Sequence, residues 1–132
     1  MQPTLLMAED DIALSRMYER AFIAQGITPT LVDDGEKAIQ TLKSMMPKPA
    51  VVILDVLMPK KSGFDVVREM KEDSELKDIP VVFLSNLDGQ KNSEKGVELG
   101  AILYLVKSQY SPKEIVEKIK KIAEDYLASK NN

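Results

Sequence analysis

The sequence predicts an α/β fold in which five parallel strands alternate with five helices in a doubly wound sheet. Three observations predict it. Short apolar runs rich in branched residues occur at residues 4–8, 50–54, 80–84 and 102–106, the pattern of strands buried on both faces. The segments between them carry apolar residues at helical spacing. Gly26, Gly35, Pro47, Pro49 and Gly63 fall between the two kinds of segment.

The elements follow in order. After the first strand, Leu14, Met17, Tyr18, Ala21 and Phe22 share one face of a helix over residues 12–25, and Gly26 stops it. Asp11 is placed to cap that helix. Residues 27–32 form a second, more exposed strand, and Asp33-Asp34-Gly35 is a turn. A second helix reaches residue 46, with Ala38, Ile39, Leu42 and Met45 facing inward. The third strand ends in Asp55. Past a loop containing Gly63, the residues Phe64, Val67 and Met70 mark a third helix. Strand four starts at Pro80, where a missing N–H costs little. The fourth helix, residues 89–99, is polar and contains Gly96, so it is expected to be the least stable. Strand five ends at Lys107. Ser111-Pro112-Lys113-Glu114 then combines a capping box with proline at the first helical position. The last helix has Ile115, Ile119, Ile122 and Tyr126 on its inner face. Residues 1–128 form one domain, and residues 129–132 are expected to be a frayed polar tail.

Short loops between alternating strands and helices require right-handed crossovers. The weaker second strand belongs at an edge. The order is then 2-1-3-4-5, the flavodoxin-like arrangement, with strands one and three adjacent at the switch point. That order brings Glu9 and Asp10 beside Asp55, at the strand ends where open α/β sheets place their ligand sites. Ser85 and Lys107 stand at the ends of strands four and five. Lysine rarely buries, but beside three acids it has charge to neutralise. Three acids, a hydroxyl and a lysine form a site for a divalent cation and a phosphoryl group.

Bulk properties narrow the function. A chain of 132 residues suits one domain with a real core. A net charge of −3 and no basic block leave no footprint for nucleic acid. The chain has no cysteine, which excludes thiol chemistry and cysteine-ligated metals. It has no histidine, which excludes serine–histidine triads and a phosphohistidine of its own. No stretch has the length of a membrane span and no signal-peptide pattern opens the chain, so a cytoplasmic protein without membrane contact is expected.

Over about residues 3–127 the chain resembles the receiver domain of two-component response regulators. The resemblance rests on Glu9-Asp10, on Asp55 with Pro59 and Gly63 after it, and on Ser85, Tyr104 and Lys107, all in order. A stand-alone receiver of the chemotaxis type is expected. The resemblance implies that Asp55 is the phosphoacceptor and that Mg²⁺ is the cofactor. It implies Asp10 and Asp55 as direct ligands, Glu9 largely through water, and the backbone carbonyl of Leu57. Lys107 then offsets phosphoryl charge, while Ser85 and the Asn86 N–H bond the phosphoryl oxygens. Tyr104 rotates toward the space that the Ser85 hydroxyl vacates, or it simply packs at the sheet edge. The implied output is a changed surface of the fourth helix, fifth strand and fifth helix, read by a downstream protein. The donor is a phosphohistidine on a sensor histidine kinase or a histidine phosphotransfer protein. The resemblance implies a phosphoacceptor with self-dephosphorylation only, not a general enzyme.

The sequence departs from the family pattern in places. Ser108 follows Lys107 where proline is usual, yet a cis Lys107–Ser108 bond is still expected. Asn86 takes the place of a small residue, and Ile102 and Leu103 replace acids that one transcription-factor class uses to dimerise. Leu57 and Leu87 should flank the path of an attacking water and lengthen the life of the phosphoryl group.

Other functions fit less well. Aspartyl-phosphate phosphatases of the haloacid dehalogenase type place the nucleophile after the first strand with a second Asp two residues on, whereas here Leu57 occupies that place. Nucleotide or flavin binding lacks a glycine-rich phosphate loop. A receiver-like scaffold that is never phosphorylated would keep the fold without using the site.

Overall fold

A computed structural model describes residues 3–87 and 89–130. Five strands and five α-helices alternate: β1 (Thr4–Ala8), α1 (Ile12–Ala24), β2 (Thr28–Val32), α2 (Gly35–Ser44), β3 (Val51–Leu54), α3 (Gly63–Lys71), β4 (Val81–Ser85), α4 (Gln90–Leu99), β5 (Leu103–Val106) and α5 (Pro112–Lys130). Every strand pair is parallel and the order is β2-β1-β3-β4-β5, as the sequence predicts. Leu5 pairs with Val51 and Ala8 with Leu54. Asp55 N donates to Ala8 O at 3.2 Å, which carries the register past the last paired residues. Glu9 and Asp55 therefore leave the sheet side by side.

Side chains alternate between two cores. Leu6, Ala8, Val52, Leu54, Val81 and Phe83 pack with residues of α2 and α3. Leu5, Met7, Val51, Ile53, Val82, Leu84 and Leu105 pack with Tyr18, Phe22, Ile115 and Ile119 of α1 and α5. The period of two assigns the residues just beyond the strands as well. Glu9, Asp55 and Lys107 keep the parity of Met7, Ile53 and Leu105, on the α1/α5 side. Ser85 keeps the parity of Phe83, on the other side.

The helices start on side chains that satisfy their free N–H groups. Asp11 accepts from Leu14 N and Asp34 from Lys37 N. Ser62 and Asp65 form a capping box on α3. Ser111 and Glu114 form the expected one on α5. Helix α4 has no side-chain cap, and Gly96 is its one buried residue among those described. A Cβ at Gly96 would lie 2.9 Å from a Phe83 ring carbon and 3.2 Å from one of Tyr104. Glycine here lets the backbone of α4 rest on two aromatic rings.

Two ends differ from the sequence reading. Helix α2 stops at Ser44, because Met45 is already extended, two residues ahead of Pro47. Helix α5 continues through Lys130, two residues into the segment expected as a tail. Residues 131–132 lie outside the described residues.

Candidate phosphoacceptor and metal site

Glu9 follows β1 directly and is 3% exposed. Its Oε2 accepts from the backbone N–H of Asp11 at 3.1 Å, and its Oε1 accepts from Lys107 Nζ. Asp55 follows β3, and its Oδ2 accepts from Lys107 Nζ at 2.9 Å. Lys107 opens a 3₁₀ turn, Lys107–Gln109, and its side chain is 7% exposed. A buried ammonium with two buried carboxylates is tolerable only as a hydrogen-bonded cluster. Burial alone draws the Lys107 ammonium down, but its bonds to Glu9 and Asp55 and their charges outweigh that and raise it above 10.5. Burial raises the Glu9 carboxyl above 4.5, and Lys107 offsets part of the rise.

Asp10 is exposed and makes no ion pair among the described residues. One carboxylate oxygen each from Glu9, Asp10 and Asp55 lies within 4.8 Å of the others. One lysine cannot balance three clustered carboxylates. Their all-oxygen donor set fits a hard divalent cation such as Mg²⁺, and the exposed side at Asp10 leaves room for the waters such an ion keeps. A cleft of about 390 Å³ runs over these groups and is also lined by Asp11, Leu57, Ser85, Asn86 and Leu87. Ser85 is 1% exposed, and its Oγ accepts from Leu87 N at 3.2 Å.

The fold thus gathers Glu9, Asp10, Asp55, Leu57, Ser85, Asn86 and Lys107 around one cleft. Tyr104 does not line it. Its hydroxyl donates to the Leu87 carbonyl at 2.5 Å, and its ring packs beside Phe83 with centroids 5.8 Å apart. It grips the loop after β4 from below.

The Lys107–Ser108 bond corrects the expectation of a cis peptide. Among the described residues the cis bond is Met46–Pro47, and Lys107–Ser108 is trans. With serine after the lysine, the strong trans preference of an ordinary peptide is not offset. The 3₁₀ turn brings Lys107 into the site without it. The sequence reading also passed over the α3 cap, although Ser62-x-x-Asp65 carried its signal. That cap fixes the end of the Asp55 loop. There Gly63 N donates to Val56 O at 2.9 Å, and a Cβ on Gly63 would stand 2.2 Å from the Asp55 carbonyl oxygen.

Comparison with known proteins agrees with this geometry. Residues 5–120 match the family described as the response regulator receiver domain. The chain is 34% identical over 118 residues to a probable transcriptional regulator, ycf27, of Guillardia theta, covering 89% of this chain and 44% of that protein. It spans about half the length, or less, of the curated relatives it matches. Among solved structures it resembles the phosphorylated cyanobacterial phytochrome response regulator RcpA, with TM-score 0.81, 27% identity and coverage of 98% of this chain and 96% of that one. It also resembles the Mn²⁺-bound form of response regulator Rcp1, with TM-score 0.77, 28% identity and coverage of 91% of both. No helix among the described residues is long and apolar enough to cross a membrane. Fold, strand-end acids and the matched residues converge: the chain belongs to the response regulator receiver domain family, the phosphoacceptor signalling modules of two-component systems.

Proposed function

We propose that this domain accepts a phosphoryl group on Asp55 in a Mg²⁺-dependent reaction and then regulates a partner protein. The observation that carries the proposal is the bridge from Lys107 Nζ to both Asp55 and Glu9, next to the unpaired charge of Asp10. Asp10, Asp55, Glu9 and the Leu57 carbonyl would hold the metal. Bound there, Mg²⁺ neutralises charge on the phosphoryl oxygens. The resemblance of the fold to a phosphorylated and to a Mn²⁺-bound response regulator supports both parts of this reading.

The chain has no histidine, so a phosphohistidine donor comes from a sensor kinase or a histidine phosphotransfer protein. An Asp55 carboxylate oxygen attacks phosphorus, the P–N bond breaks and its electron pair stays with the departing imidazole. Lys107 moves its Asp55-directed N–H onto a phosphoryl oxygen. The Ser85 hydroxyl and the Asn86 N–H take other oxygens. The product adds about 1.5 to 2 negative charges beside Ser85. Ser85 and Tyr104 both bond to Leu87, through its N–H and its carbonyl, so a Ser85 drawn toward the phosphoryl loosens what Tyr104 holds. The α4–β5–α5 surface then changes for a downstream partner.

Intact-mass measurement after incubation with acetyl phosphate and Mg²⁺ tests the reading. Wild type gains one phosphoryl mass, and Asp55→Asn gains none. Equal labelling of the two proteins, or none in wild type, removes the proposal.

A further inference from the structure

Asn86 follows β4 as Lys107 follows β5. Ser85 pairs with Val106, so Asn86 and Lys107 leave the sheet as neighbours. Asn86 keeps the parity of Leu84, which packs on the α1/α5 side with Ile53 and Leu105. Asp55 and Lys107 share that side. Strand β4 lies between β3 and β5, so the Lys107 side chain passes the end of β4 to bond Asp55. Asn86 stands at that strand end and lines the cleft of about 390 Å³ together with Asp55 and Lys107.

The Asn86 side chain is exposed, and its carboxamide makes no hydrogen bond among the described residues. Most of the cleft offers an anion nothing. Leu57 and Leu87 have no polar side-chain atom, and Glu9, Asp10, Asp11 and Asp55, when ionised, only accept. The side-chain donors on its wall are Lys107, the Ser85 hydroxyl and the Asn86 carboxamide. Lys107 and Ser85 are buried beside the phosphoacceptor, whereas Asn86 is at the open rim.

In phosphoryl transfer the attacking and leaving atoms stand roughly in line. Asp55 is 8% exposed and attacks from the cleft floor, so the leaving group points outward, to the rim. In a carboxylic–phosphoric anhydride such as acetyl phosphate, the P–O bond breaks and its electron pair leaves with the carboxylate. Negative charge grows on both carboxylate oxygens, where an N–H donor stabilises the transition state. Donors with a P–N bond differ. Phosphoramidate, protonated on nitrogen, releases neutral ammonia, and no anionic oxygen forms.

We propose that the Asn86 carboxamide is a specificity-determining residue for the phosphodonor, its N–H donating to the departing carboxylate of an acyl phosphate. The inference rests on the phosphoacceptor reading and adds the class of small donor that the site favours.

The test compares rates of phosphoryl gain by intact mass, at fixed Mg²⁺, from acetyl phosphate and from phosphoramidate. The readout is the ratio of the two rates within each protein, which a general loss of folded or active protein does not move. Asn86→Ala and Asn86→Leu both remove the donor, and the second keeps bulk at the rim. The ratio should fall about fivefold in both, the loss expected of one hydrogen bond of ordinary net strength. A wild-type or higher ratio in either variant overturns the proposal: kept in Asn86→Leu alone, it assigns the effect to bulk. No phosphoryl gain by wild type from either donor overturns the phosphoacceptor reading and this inference with it, whereas gain with an unchanged ratio overturns the inference alone.

Discussion

Lys107 Nζ lies 2.9 Å from Asp55 Oδ2 across 52 positions of the chain, and the same ammonium holds Glu9. Removing it leaves two buried carboxylates without their cation. Breaking a buried pair costs about 3–5 kcal/mol, and the open cleft over this one reduces that to about 2 kcal/mol. Lys107→Met should therefore lower the unfolding free energy of the metal-free protein by that amount, read by urea titration as a lower midpoint. An unchanged midpoint would show that the ammonium does no more than offset its own burial.

Asp10 should behave in the opposite way. It brings a third negative charge within 4.8 Å of the other two and has no ion pair among the described residues. Relief of like-charge repulsion should make metal-free Asp10→Asn melt higher than wild type. Millimolar Mg²⁺ should raise the melting temperature of wild type through binding to the folded state, and not that of the variant. An equal Mg²⁺ shift in both proteins would remove Asp10 from the metal site.

The acid limb of stability should carry the α3 capping box. The backbone N–H of Ser62 bonds the Asp65 carboxylate and holds it below 3.8 in the folded protein. A depressed carboxyl stabilises the fold above its unfolded pKa, and that contribution is lost as pH falls through the folded value. Wild type should be more stable than Asp65→Ala near neutrality, and the gap should narrow below pH 3.8. Glu9 has the reverse sign. Its folded pKa is raised above 4.5, so its ionised form costs stability that acid removes. A gap between wild type and Asp65→Ala that stays constant with pH would mean that the carboxylate charge plays no part in the cap.

Gly96→Ala sets helix propensity against packing. Alanine gains about 1 kcal/mol over glycine inside a helix. The added Cβ would meet the Phe83 ring at 2.9 Å and Tyr104 at 3.2 Å, and overpacking costs about 1–3 kcal/mol. Phe83 is fully buried and packed edge-on against Phe64, so it has little room to yield, and α4 must lift instead. The variant should be less stable by about 1 kcal/mol, with faster amide exchange across α4. A more stable variant would show that the helix already floats above the rings.

Strand order and the acid cluster were legible because both follow from short-range patterns. Apolar runs of strand length mark the sheet, and a weak second strand fixes the edge from which the order is counted. Once β1 and β3 are neighbours, Glu9 must meet Asp55. Asp11 and the Ser111–Glu114 pair were legible as caps for the same local reason. What escaped depends on three-dimensional fit. The trans Lys107–Ser108 bond follows from a 3₁₀ turn that no periodicity announces. The sequence left Tyr104 open between a switch residue and one packed at the sheet edge, and the hydroxyl bond to the Leu87 carbonyl is a fit that no pattern announces.

Leu57 and Leu87 both line the cleft, one from the loop after β3 and one from the loop after β4. Leu57 is 62% exposed, an unusual place for a large apolar side chain, and Leu87 is half-buried. The Leu87 backbone is held from two directions, its N–H by Ser85 Oγ and its carbonyl by Tyr104, so its side chain has little freedom to leave the rim. On the proposed phosphoacceptor role, water that hydrolyses the acyl phosphate would reach Asp55 through this cleft, and neither leucine side chain could orient it with a hydrogen bond. Leu57→Asn and Leu87→Glu each supply such a group. Each should shorten the lifetime of the phosphorylated protein, by about fivefold for one new hydrogen bond of ordinary strength, measured at fixed Mg²⁺ as loss of the phosphoryl mass. Unchanged or slower decay in both variants would show that the leucines rest on the rim without shielding the phosphoryl group.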